Sequence, residues 1–248
     1  MMERNLLFTM RFEGTRYHGF QVQRNALGVC EVFQDAVERV FGVRHDVKGC
    51  SRTDTGVHAA GYCVSMKTCS AIACDKIPLA LNMHLPEDIA VISCEDVPRD
   101  FHARYSATGK EYIYNLHNSR IRDPFSANFC YRMSYPLDAL LLDREAKGFL
   151  GTHDFAAFQA KGGDVADTVR TVTGFTVARE GETVRFAVKG DGFLYKMVRI
   201  MVGTLINIGT GKLVEGSIPD IIKSRDRSRA GKTAPACGLI LNRVFYDN

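Results

Sequence analysis

The 248-residue chain has no tryptophan and only 7 prolines, and no Pro-rich or Ser-rich linker divides it. Its most apolar stretch, residues 193–208, carries Lys196 and Arg199 and is too short and too charged to cross a bilayer, which excludes a membrane partner. The opening Met-Met-Glu-Arg-Asn-Leu-Leu lacks the apolar run of an export signal, so a cytoplasmic location is expected. Eight cysteines show no CxxC pair, which argues against a zinc ribbon or a thioredoxin-type site; they are read as reduced thiols. The 7 histidines lack HxH or HExxH spacing, so no metal is expected. No GxGxxG or GxSxG occurs, and Gly209-Thr210-Gly211-Lys212 fails as a phosphate loop because Leu213 follows and Ile206 stands where glycine is required.

What is present is an ordinary folding composition, with 46% hydrophobic and 24% charged residues. The net charge of +4 permits a nucleic-acid partner without identifying one. Residues 6–13 alternate Leu6, Phe8, Met10 and Phe12 against Thr9, Arg11 and Glu13, which predicts a strand. Val29, Val32, Phe33, Ala36, Val37, Val40 and Phe41 recur at helical spacing up to Gly42. Strands over 47–50, 61–68 and 89–97 and a helix over 76–84 complete the order β-α-β-β-α-β. The second half repeats it, with strands at 110–116, 169–178, 183–189 and 239–246, helices at 137–150 and 193–208, and a short helix at 218–223. This predicts an α+β fold of two split βαβ lobes, residues 1–105 and 106–248, with antiparallel sheets side by side and the active-site cleft between them.

The densest polar cluster, Cys50-Ser51-Arg52-Thr53-Asp54-Thr55-Gly56-Val57-His58, is either turn chemistry or a site. The helix over 193–208 is apolar nearly all round yet carries Arg199, whose guanidinium cannot shed its proton and needs a counter-charge if buried. Asp54 is one candidate; Asp191, Glu215 or escape of the head group to solvent are the others. The stretch from Asp100 to Tyr114 interleaves His102, Arg104, Tyr105, Lys110 and Tyr112, a mixture suited to holding phosphate while stacking splayed bases, although Tyr112 and Tyr114 could equally be core aromatics. Residues 223–232 carry five positive charges and one negative, suiting either a phosphate grip or a solvated turn.

Taken together, these residues resemble the tRNA pseudouridine synthase A family. Residues 50–59, CSRTDTGVHA, are similar to its G-R-T-D-x-G-V-H-A box, and residues 12–21, FEGTRYHGFQ, to its opening box. Phe101 to Ala107, Met197 to Gly203 and Thr233 to Leu239 match three further boxes in order along the chain. The resemblance implies a cofactor-free RNA isomerase of two RRM-like lobes, acting as a homodimer on tRNA, most commonly at the anticodon stem-loop. It implies that Asp54 is the nucleophile, that Arg199 pairs with it and that Tyr112 lies against the target base. Arg52 and Arg104 would hold phosphates beside the flipped nucleotide. The sequence departs from the pattern at Ser51 for Gly, Thr55 for Ala, Phe20 for Trp and Val22 for Arg. The basic residue that assists base flipping in the family aligns with Ile72, Lys67 and Lys76 being the nearest cations. A divergent member could act on another tRNA site or on ribosomal RNA.

Two other functional classes share some of these features. Asp54-Thr55-Gly56 is also the triplet of aspartic proteases, but no second Asp-Thr/Ser-Gly exists to share a proton, and Arg52 beside it favours full ionisation. A noncatalytic RNA-binding module would have no need to keep Asp54, Tyr112 and Arg199 together.

Overall fold

The alternating apolar residues at the start of the chain form β1 (Arg4–Phe12), with Leu6, Phe8, Met10 and Phe12 buried on one face. The computed structural model describes residues 3–163 and 165–247, and its chain divides into two compact units, Met1–Thr108 with Leu241–Asn248, and Gly109–Ile240. The fold is mixed α+β.

In the first unit, β1 is flanked by antiparallel β3 (His58–Thr68) and β4 (Ile89–Val97), and β2 (Val47–Gly49) pairs antiparallel with the far edge of β3. The last strand, β10 (Leu239–Tyr246), also neighbours β3, so residues 241–248 group with this unit although they end the chain. Helix α1 (Val29–Phe41) covers the sheet with Val29, Cys30, Phe33, Ala36 and Val37 and stops at Gly42, whose φ of 78° only glycine adopts without strain. Phe33 meets Phe8 edge to face at 5.5 Å, and burying such a ring is worth about 1.5–3 kcal/mol. Helix α2 (Ile77–Asn82) is clipped to β4 by Asn82, whose side chain both donates to Val91 O and accepts from Val91 N.

Strand β1 is more buried than its alternation predicts, since Asn5 and Leu7 are covered too. The cover is the segment that follows β4. Asn5 Nδ2 donates to Pro98 O at 3.0 Å and Phe101 O at 2.9 Å, Ser65 Oγ accepts from Ala103 N at 3.0 Å, and Tyr246 Oη donates to Ala103 O at 2.7 Å. A polar strand position is thus spent on fastening residues 98–106.

In the second unit the order is β5 (Ala107–His117), β9 (Thr183–Gly190), β8 (Val169–Glu180) and β7 (Gly151–Asp154), all antiparallel neighbours, with a short β6 (Tyr131–Arg132) parallel to β5. Glu180 faces Thr183 across a two-residue turn begun by Gly181 at φ 55°, which joins β8 and β9 as a hairpin. Helices α3 (Ala139–Ala146), α4 (Met197–Gly209) and α5 (Ile218–Ser224) pack with a cluster of Phe149, Phe155, Phe158 and Phe175.

Differences from expectation lie at element ends and in short pieces. The helix expected over 193–208 starts four residues late, because Lys196 sits at φ 58° and the Tyr195 carbonyl accepts from Ala160 N. Helix α3 starts behind its Asp138 cap and gives way to a 3-10 turn at Lys147–Phe149. Strands β6 and β7 were not anticipated, being too short and too exposed for an alternation to register. Among the described residues, no helix is long and apolar enough to cross a membrane.

Candidate active site

In the first unit residues 50–57 of the polar cluster form an irregular loop between β2 and β3, with His58 opening β3, and the shape of that loop is imposed by a second loop, residues 13–28. Cys50 and Cys63 anchor its start through Cys50 N to Cys63 O at 2.9 Å and Cys63 N to Cys50 Sγ at 3.3 Å. Tyr62 donates its hydroxyl to Ser51 O and stacks on Phe20 at 4.2 Å. Phe20 therefore packs against the start of the loop.

The loops then interlock. Val57 N donates to Asp54 O at 3.2 Å to close a turn, Gly56 N to Tyr17 O at 3.2 Å, and Tyr17 N to Gly14 O at 3.0 Å. Gly14 N in turn donates to Nδ1 of buried His58 at 3.0 Å. A Cβ on Gly14 would stand 2.0 Å from Val57 O, and one on Gly19, already at φ 81°, would stand 2.1 Å from Thr53 O. Only glycine allows backbone to approach this closely. Asp88 accepts from Tyr17 Oη at 2.8 Å and from Arg16 Nε at 2.7 Å, and burial pushes the Tyr17 hydroxyl up to about 12. Asp54 emerges half-buried from this frame, Arg52 is exposed, and the Thr53 hydroxyl is buried with no hydrogen-bond partner among the described residues.

His102, Arg104 and Tyr105 come together on the fastened segment 98–106. His102 Nδ1 accepts from Arg104 N at 3.1 Å, the His102 and Tyr105 rings lie 4.4 Å apart, and the Arg104 guanidinium sits 5.6 Å above the Tyr105 ring. Tyr105 is 76% exposed, so an aromatic ring beside the Arg104 cation is open to solvent. Burial, reinforced by the Lys48 and Arg104 charges, lowers the His102 pKa below its ordinary value.

The second unit holds Lys110, Tyr112 and Arg199. Lys110 is half-buried at the start of β5. Tyr112 is buried and meets Phe193 edge to face at 5.3 Å. Its strand-face partner Tyr114 is a core residue, packed on Phe186 and Gly238 with its hydroxyl donated to Pro235 O at 3.0 Å, and burial holds it well above the ordinary tyrosine range. Arg199, half-buried in α4, donates Nε to Ala234 O at 2.7 Å, while Ala234 N donates to Arg199 O at 3.0 Å. Of the other acids considered for it, Glu215 pairs with Arg144 at 3.2 Å and Asp191 accepts Thr171 N at 3.0 Å.

The basic run at 223–232 is partly structural. Arg225 pairs with Asp154 at 2.8 Å, Asp226 caps the turn Arg227–Arg229, and Arg227 points inward; Lys223, Arg229 and Lys232 remain exposed. Ile72 contributes its carbonyl to Arg4 at 2.9 Å, and Lys67 lies 3.9 Å from Glu3. The sequence reading missed the positioning roles of His58, Tyr17 and Asp88. His58 and Tyr17 lie inside quoted boxes and carried a signal; Asp88 carried none. Among the described residues, no group of three His, Cys, Asp or Glu side chains is placed to hold a metal ion.

The family model described as tRNA pseudouridine synthase matches residues 9–106 and 146–247. The tRNA pseudouridine synthase A of Ruminiclostridium cellulolyticum is 46% identical over 244 residues, covering 98% of this chain and 100% of the relative. Those of Acetivibrio thermocellus and Thermoanaerobacter sp. (strain X514) are 45% and 44% identical over 243 residues, each with 98% of this chain and 100% of the relative covered.

Proposed function

This chain belongs to the tRNA pseudouridine synthase family and isomerises uridine to pseudouridine in tRNA, and from that premise we propose that Asp54 is the nucleophile, Arg199 its counter-charge and Tyr112 the ring against the target base. The acid then comes from residues 1–105, and the arginine and tyrosine from residues 106–248. The reaction breaks the C1′–N1 bond, turns the uracil over and rejoins it through C5. Atoms and electrons balance within the nucleotide, so the chemistry calls for no redox cofactor. An ionised carboxylate suits the first step, by attacking the sugar or by taking a proton from it. A neighbouring guanidinium keeps a carboxylate ionised at neutral pH, and the fork of Arg suits that task better than the ammonium of Lys.

Binding follows from the same residues. Arg52 and Arg104 hold phosphates beside the flipped nucleotide, and His102, Tyr105 and Lys110 complete the RNA contact, Tyr105 offering its exposed ring for stacking. The anticodon stem-loop is the target; the divergent residues Ser51, Thr55 and Ile72 make another tRNA position or ribosomal RNA the second reading. Each unit is read as an RRM-like lobe, a reading supported in the first by the antiparallel order β4-β1-β3-β2. The enzyme works as a cytoplasmic homodimer.

The observation that carries this reading is the interlocked pair of loops, which uses two glycine contacts and a buried histidine to hold Asp54 in place. Asp54→Asn is the test: tRNA binding is expected to persist with no pseudouridine formed, and continued isomerisation would overturn the assignment. Mapping pseudouridine by chemical labelling in treated total RNA decides between the anticodon stem-loop and the other targets.

A further inference from the structure

We propose that Arg227 is a positioning residue for Arg199, acting through a backbone strap formed by residues 230–234; the proposal rests on the reading of Arg199 as the counter-charge to the nucleophile. All of the contacts lie within the second unit.

The strap lies on helix α4 at atomic contact. A Cβ on Gly203 would stand 1.7 Å from Lys232 O, and one on Gly231 would stand 2.5 Å from Gly203 O and Thr204 N. Thr204 Oγ1 donates to Ile200 O at 2.8 Å and accepts from Gly231 N at 2.8 Å, so it rivets the strap to the helix one turn beyond Arg199. The strap ends at Ala234, which bonds Arg199 twice, at its main-chain carbonyl and at Nε. Fixing Nε leaves the terminal nitrogens of the guanidinium in a defined plane, because the group is rigid and flat.

Arg227 holds the same strap through its guanidinium. It donates Nη1 to Gly231 O at 3.0 Å and to Ala230 O at 3.4 Å, and Nη2 to Thr233 Oγ1 at 3.3 Å. Carbonyls and a hydroxyl accept its hydrogen bonds, no carboxylate among the described residues pairs with it, and partial burial lowers its pKa below the ordinary arginine value. Three of the strap's five residues are thus tied by one side chain whose charge lies in a basic run. Read from sequence alone, that run suited a phosphate grip or a solvated turn equally. Arg227 is spent on the protein itself, one step removed from the reacting atoms.

The experiment compares the full chain with Arg227→Ala, Arg227→Lys, Arg199→Lys and the Arg227→Ala/Arg199→Lys double variant. Each is measured for its single-turnover rate of pseudouridine formation and for its equilibrium affinity toward an unmodified tRNA transcript. Misplacing a group by about 1 Å can cost a hundredfold, so Arg227→Ala is expected to slow isomerisation by about ten- to a hundredfold while tRNA affinity stays within about twofold. Arg227→Lys is expected to recover part of the rate. In the Arg199→Lys background, removing Arg227 should cost nothing further, because the strap acts only through Arg199. A wild-type rate for Arg227→Ala, an affinity loss matching the rate loss, or additive losses in the double variant would each overturn the proposal, the second by making Arg227 a phosphate contact. If Arg199→Lys itself retains the wild-type rate, the reading of Arg199 fails instead. Should Arg227→Ala lack a cooperative thermal transition, Thr233→Val, which removes only one acceptor, must show the same split between rate and affinity or the proposal falls.

Discussion

Nδ1 of His58, buried at the start of β3, accepts the backbone amide proton of Gly14 at 3.0 Å, joining two loops 44 residues apart in sequence. A ring nitrogen that accepts must be unprotonated, so the imidazole is the neutral tautomer with its proton on Nε2. His58→Ala leaves a buried amide without its partner and opens a void beneath the loop that carries Asp54. Such a loss costs about 1–3 kcal/mol. The expected outcome is a lower thermal midpoint together with slower pseudouridine formation; an unchanged midpoint would show that the loops hold without the histidine.

Tyr114 illustrates a polar handle on a core aromatic. Its hydroxyl donates to Pro235 O, while the ring packs on Phe186. Tyr114→Phe keeps the ring and strands the carbonyl, so a loss of about 1–3 kcal/mol in urea unfolding is expected. A variant as stable as the parent would mean that water reaches Pro235.

The pH dependence of stability has a definite sign at His102. Its folded pKa lies below the ordinary 6.5, first because of burial and then because of the Lys48 and Arg104 cations. Above 6.5 the ring is neutral in both states, and its stabilising difference is fully present. As the pH falls from 6.5 through the folded value, the unfolded chain takes up the proton first and this part of the stability is lost. His102→Gln is expected to flatten the unfolding free energy across that window, and an NMR titration should place the His102 midpoint below 6.5. A midpoint at or above 6.5 would contradict the site's electrostatics.

The cysteines are free thiols of unequal access. Cys69 is exposed, whereas Cys30 is buried and its thiol is pushed up to about 11 by that burial. The thiolate is the reactive form, so iodoacetamide at mildly alkaline pH should label Cys69 first and reach Cys30 only on unfolding. Peptide mass spectrometry reads the order directly.

How much was legible in advance differs between fold and site. Strand β4 and strand β10 lie on the expected residues, and α1 ends at Gly42 as its periodicity and stop signal require. Helix α4 begins late because a single left-handed residue, Lys196, interrupts a run whose composition remained helical. Composition cannot register one torsion angle. Asp54 and Arg199 stood out because polar groups are conspicuous in apolar surroundings, whereas Tyr112 was marked only by the family resemblance. The same logic left Tyr112 and Tyr114 indistinguishable, since both point to one strand face; their different neighbours separate them.

What the chain determines locally is its element order, its core faces and its polar loop, because apolar periodicity and the torsional freedom of glycine act over a few residues at a time. Which backbone atoms meet was decided by the tertiary structure alone. The approach of Gly14 to Val57, the strap laid on Gly203 and the inward turn of Arg227 join residues whose proximity depends on how whole elements pack. A basic side chain in a charged run reads the same whether it faces a phosphate or a carbonyl, and only the burial imposed by packing chooses between them.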